Sequence, residues 1–96
     1  MPAPASKYNV RLSEDAQAQF QELDAGVKGR ITKRLALLER LPAARTLHGH
    51  GDTSVLEVGP YRALYWTDEQ TQMRTVFFIG NHNEYEKRYR QMFGSR

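Results

Sequence analysis

Cysteine is absent from this chain of 96 residues. No disulfide framework, thiolate metal site or thiol nucleophile is therefore available. Long apolar runs are missing too, and nothing approaches the roughly 20 residues that span a bilayer. The N-terminal stretch "MPAPAS" is rich in proline and alanine and has no apolar core of signal-peptide length. These absences predict a soluble, cytoplasmic protein with no membrane contact. Length leaves no room for a second domain, so 1–96 is expected to be one domain, with 1–6 a frayed end. So short a chain buries a modest core and gains stability from a partner.

Charge is present but segregated. The net charge is +3 and the pI about 9.4, which permits a nucleic-acid or acidic-protein partner without requiring one. Lys28, Arg30, Lys33, Arg34, Arg40 and Arg45 follow one another with only Glu39 among them. Such a basic helix is most often a solvated face; it also suits RNA phosphates or an acidic partner segment. The acids collect earlier, at Glu14, Asp15, Glu22 and Asp24, and in the turn at Asp68 and Glu69.

Periodicity orders the elements. Tyr8, Val10 and Leu12 alternate as in a strand. Ser13 caps a helix over 14–23, with Ala16, Phe20 and Leu23 on one face. "DAGVKG" breaks it, and Val27, Ile31, Leu35 and Leu38 continue a second helix to about Leu41, ended by Pro42. "SVLEV", "YRALYWT" and "MRTVFFI" are strands joined by short turns, and 84–93 is a C-terminal helix. The order β-α-α-β-β-β-α predicts an α+β fold: an antiparallel sheet with an N-terminal helical hairpin packed on one face. The other face is expected to be partly open, a plausible binding surface.

Three stretches carry candidate chemistry. In "GNHNEYEKRY", Asn83 and Glu86 have the spacing of a capping box. His82 then sits at a strand-to-helix junction, beside free N–H groups that favour anions. It is either a general acid or base near a phosphate or a residue that merely bonds the turn. Tyr85 lies in the first helical turn and could stack a base or donate to a phosphate; Tyr89 and Phe93 share its face and suit packing. In "GPYRALYW", Arg62, Leu64 and Trp66 point one way. The Arg62 guanidinium suits a phosphate and would stabilise charge on a pentacoordinate phosphorus; the plainer reading pairs it with Glu57. In "LHGHGD", His48, His50 and Asp52 make a weak metal signal, since the chain has no further histidine except His82 and no cysteine. No metal or other cofactor is expected. A second imidazole near a phosphate, at His50 or His48, is the functional alternative to solvated loop histidines.

Taken together, "YNVRLSEDAQAQFQELD", a Leu-rich helix ending in Pro42, "LEVGPYRALYW" and "VFFIGNHNEYEK" resemble the RelE/ParE toxin superfamily over nearly the whole chain. The last motif is similar to the HigB-type ending: an apolar strand, then Gly, a His and an Asn-Glu-Tyr-Glu-Lys run. The resemblance implies a RelE-like fold and the toxin of a type II toxin–antitoxin system. RelE-like and HigB-like members cut mRNA, usually on the ribosome and without a metal, by attack of the 2′-hydroxyl on the adjacent phosphate. ParE-like members instead inhibit DNA gyrase and cut nothing, and an RNA-binding module that has lost catalysis is a third reading. Carried over, Arg62 matches the strand arginine at the scissile phosphate, His82 the HigB-like histidine and Tyr85 the tyrosine of the HigB-like run; with His50 as the second imidazole read from the loop, these are the expected catalytic set. The RNA-contacting set is Lys28, Lys33, Arg34, His48, Trp66, Arg74 and Tyr89. The implied partners are a cognate antitoxin, mRNA and the ribosome. One departure stands out: "DTSVLEV" has no lysine where RelE-like members often carry one, and His48 or His50 would have to take its place.

Overall fold

In the chain, β1 (Asn9–Leu12) is followed by α1 (Glu14–Gln21), α2 (Ala25–Leu37), β2 (Thr53–Val58), β3 (Tyr61–Asp68), β4 (Met73–Asn81) and α3 (His82–Phe93). The computed structural model describes residues 8–40 and 53–93. The element order is the one that the hydrophobic pattern predicts. Ser13 caps α1 through its Oγ, which accepts from the Ala16 N–H at 3.1 Å, and Glu14 and Asp15 occupy the electropositive first turn. The break between α1 and α2 is shorter than "DAGVKG" suggests, because Gly26 and Gly29 both lie inside α2. That helix closes at Leu37, with turn residues to Arg40.

The sheet order is β1-β4-β3-β2. β2, β3 and β4 form the expected antiparallel meander, but β1 pairs with β4 in parallel, so the sheet is mixed. The helical hairpin carries the chain from the β1 edge across one face to the β2 edge, and the last strand returns to the centre.

That covered face holds the main core. Ala16, Val27, Ile31, Leu35 and Leu38 of the helical segment pack on Leu56, Val58, Ala63, Tyr65, Val76 and Ile79. Strict alternation would put Val76 and Ile79 on opposite faces. A bulge resolves this: Leu64 pairs with Phe78 and Tyr65 with Val76, leaving Phe77 without a partner. Phe77 and Phe78 therefore both join the second face, where Leu64, Val55, Tyr85 and Tyr89 meet them. α3 packs on this second face and covers part of it. Beyond its last pairing with β1, β4 still needs partners, and the Gln19 side chain of α1 accepts the Ile79 N–H at 2.8 Å.

Arg74 is the largest fully buried side chain. Its guanidinium donates to the Leu38 carbonyl at 2.8 Å and to Thr67 Oγ1 at 3.1 Å, and lies 3.7 Å from the centre of the Tyr8 ring. Tyr8 in turn donates to the Glu69 carboxylate at 2.9 Å. The group ties the end of α2 to β1 and to the β3–β4 turn. The expectation that Arg74 contacts RNA is thus corrected: no part of it reaches solvent, because its hydrogen bonds and aromatic stack are internal.

Candidate functional site

Two short turns build the site. Gly59, with φ +57°, takes the left-handed conformation that the β2–β3 turn requires. This turn and the first residue of β3 present three carbonyls. The Arg62 guanidinium donates to Gly59 O at 2.8 Å and to Tyr61 O at 2.9 Å, and the His82 N–H donates to Pro60 O at 3.0 Å. One tight hairpin thereby fixes both the strand arginine and the start of α3. Glu57 lies directly across from Arg62 in the β2–β3 register, yet it forms no ion pair with it. Among the described residues Arg62 is half-buried, held by backbone carbonyls and not neutralised by a carboxylate.

The α3 terminus is capped two residues earlier than the sequence pattern indicates. Asn81 Oδ1 accepts the Glu84 N–H at 2.8 Å, and Glu84 Oε1 accepts the Asn81 N–H at 2.8 Å, a reciprocal capping box. Asn83 and Glu86 lie within the helix instead. Gly80 leaves room for this cap, since a Cβ there would stand 2.8 Å from Glu84 Oε1 and 2.7 Å from Phe78 Cζ. His82 becomes the first helical residue, and its Nε2 lies 3.0 Å from Glu86 Oε2.

Tyr85 leans from α3 onto the second face. Its ring centre is 6.1 Å from that of His82 and 6.1 Å from that of Tyr89. Burial pushes the Tyr85 phenol above its ordinary 10.0, and Tyr89 adds to this; Arg62 pulls the other way, while Glu57 and Glu86 push up. The phenol is consequently a proton-bearing hydrogen-bond donor at neutral pH. Arg62, Tyr89, Glu57 and Glu86 thus all act on the Tyr85 phenol. A groove of about 410 Å³ runs along α3 between Tyr85, Glu86, Tyr89 and Arg90.

The other predicted residues distribute as follows. Trp66 is partly exposed on β3, on the strand face that Arg62 and Leu64 share. Lys33 and Arg34 line a second groove of about 540 Å³ with Arg30, Glu57, Val58 and Gly59, so this basic part of α2 adjoins the turn that holds Arg62. Lys28 is one turn away from that groove, with its Nζ 5.9 Å from the centre of the Phe20 ring. Tyr89 packs against the Leu64–Phe78 cluster. His48 and His50, with Asp52, lie outside the described residues. Sequence reasoning passed over Glu86 as a partner for His82, although their i, i+4 spacing was available to find it. No helix of the described residues is long and apolar enough to cross a membrane.

No family model matches the chain, and no curated protein matches it by sequence. Solved structures do. Its fold, a four-stranded mixed sheet flanked by helices in the order β-α-α-β-β-β-α, is that of the RelE toxins. The chain is similar to the isolated E. coli RelE toxin, with TM-score 0.67 and 22% identity over 88% of this chain and 98% of that one. It is similar to a chain of the intact E. coli RelBE toxin–antitoxin complex, with TM-score 0.66 and 24% identity over 77% and 95%. A chain of the RelBE2 toxin–antitoxin complex of Mycobacterium tuberculosis gives TM-score 0.70 and 19% identity over 84% and 98%.

Proposed function

We propose that this chain is the toxin of a type II toxin–antitoxin pair and that it cuts mRNA on the ribosome without a metal. The observation that carries the reading is the Arg62 guanidinium, oriented by two backbone carbonyls, without an ion pair among the described residues, and beside the Tyr85 phenol. The likeness to RelE chains, two of them crystallised within toxin–antitoxin complexes, supports both the class and a cognate antitoxin as partner.

In the reaction, the RNA 2′-hydroxyl attacks the neighbouring phosphorus and loses its proton to a base. The 5′-oxygen leaves and takes a proton from an acid, so the products are a 2′,3′-cyclic phosphate and a 5′-hydroxyl. Negative charge grows on the phosphoryl oxygens, which is where a fixed guanidinium acts. Groups that stabilise such charge contribute about 10²–10³ in rate. His82 supplies acid–base capacity at the helix start, a role worth about 10²–10⁴, with His50 as the second imidazole. Tyr85 donates to the phosphate or stacks a base. Trp66 offers a further stacking surface; Tyr89, Lys28, Lys33, Arg34 and His48 complete the RNA contacts.

Induced expression of the wild type, Arg62→Ala and His82→Ala, with primer extension on a translated reporter mRNA, tests this. Cuts within the reading frame for the wild type, lost in both variants, are expected. Growth arrest with intact mRNA would overturn the nuclease and favour a gyrase-type toxin. Salt-dependent RNA affinity with neither arrest nor cleavage would leave an RNA-binding module.

A further inference from the structure

Glu86 is a residue that neither the fold nor the cap requires. It is half-exposed, lies one turn into α3 and makes no contact with the main core. Yet its two carboxylate oxygens are both engaged: Oε2 with His82 Nε2 at 3.0 Å, and Oε1 with Arg90 at 3.7 Å. A carboxylate can only accept, so the imidazole nitrogen facing it carries hydrogen. When His82 is neutral, that leaves Nδ1 as the nitrogen with the lone pair. Among the described residues nothing else bonds the ring.

We propose that Glu86 is a positioning residue that fixes the His82 tautomer, so that Nδ1 rather than Nε2 exchanges the proton with RNA. The inference rests on the assignment of His82 as an acid–base group. Three features of the chain support it. His82 begins α3, and the bond from its backbone N–H to Pro60 O fixes the main chain on which the ring is mounted. The i, i+4 spacing aligns the two side chains on one helix face. Arg90 sits at the next i, i+4 position and steadies the far oxygen of the carboxylate. A solvated helix pair would satisfy the same distances without any bearing on catalysis, and the two cases are separable by experiment.

The test joins a spectroscopic readout to a kinetic one. Imidazole ¹⁵N shifts of His82, recorded at alkaline pH, report the tautomer directly. In the wild type Nε2–H is expected as the sole tautomer detected. Glu86→Ala should let the Nδ1–H form appear at the minor share it has in free histidine, which itself prefers Nε2–H, and Glu86→Gln, whose amide oxygen still accepts, should suppress it again. Cleavage of the reporter should fall on the order of tenfold in Glu86→Ala and recover most of that loss in Glu86→Gln. Mixed tautomers in the wild type, or unchanged cleavage in Glu86→Ala while the wild type cuts, would overturn the role of Glu86. No cleavage by the wild type, with the Nε2–H tautomer present, would instead overturn the nuclease reading and reduce the pair to a structural one.

Discussion

Arg62 and Arg74 show how differently two strand arginines can be used. Both sit among aromatic and apolar neighbours in sequence, and both are plausible phosphate ligands on residue type alone. Burial separates them. Arg74 is sealed among Tyr8, Thr67 and the Leu38 carbonyl, while Arg62 is anchored to a turn and forms no ion pair among the described residues. Replacing Arg74 by alanine should cost about 3 kcal/mol or more in urea unfolding, since several buried hydrogen bonds are lost and acceptors are orphaned. Replacing Lys33 and Arg34 together should leave the unfolding midpoint nearly unchanged and weaken RNA binding in a salt-dependent way. Gly59 tests the anchor. A side chain at φ +57° costs about 1 kcal/mol, so Gly59→Ala should lower stability by that amount. It should also lower cleavage, because the carbonyl that holds Arg62 moves with the turn.

At the scale of elements, the helices and strands were legible because their periods are clean, and what was misjudged has identifiable causes. "NHNE" and "NEYE" share one capping pattern, Asn81 with Glu84 and Asn83 with Glu86, so the pattern fixes the helix start only to within two residues. Gly80 breaks the tie in three dimensions, since it admits the Glu84 carboxylate where a side chain would block it. Asn81→Ala is therefore expected to cost about 1 kcal/mol in chemical denaturation, and Asn83→Ala a few tenths at most. The bulge at Phe77 was hidden for a different reason: Val76, Phe77, Phe78 and Ile79 are all apolar, and a uniform run carries no phase. The parallel pairing of β1 was hidden by distance along the chain. Of the candidate site, Arg62, His82 and Tyr85 are candidates on residue type and motif alone, whereas the burial of Arg74 and the Glu86 contact need geometry.

For the whole molecule, alkaline pH offers a measure of how tightly the two faces are packed. Tyr8, Tyr65 and Tyr85 all have phenols raised above 10.0, in each case chiefly by burial. The native state thus holds protons that the unfolded chain has already begun to release near pH 10. Stability conferred by these groups is complete below that value and is lost as pH rises through the raised native values. The share of phenolate absorbance that Tyr8→Phe, Tyr65→Phe and Tyr85→Phe each remove should consequently rise in step with the loss of circular dichroism, rather than before it, as the solution is taken above about pH 10. Tyr65→Phe should delay the transition. The sheet order has a consequence for biosynthesis. Among the described elements β1 is made first, but its sole strand neighbour among them is β4, and the residues they pair are 64 positions apart. The hairpin that holds Arg62 cannot meet the helix that begins at His82 until that final strand has been laid down. A nascent chain that has not yet made β4 therefore carries the parts of the candidate site without their arrangement.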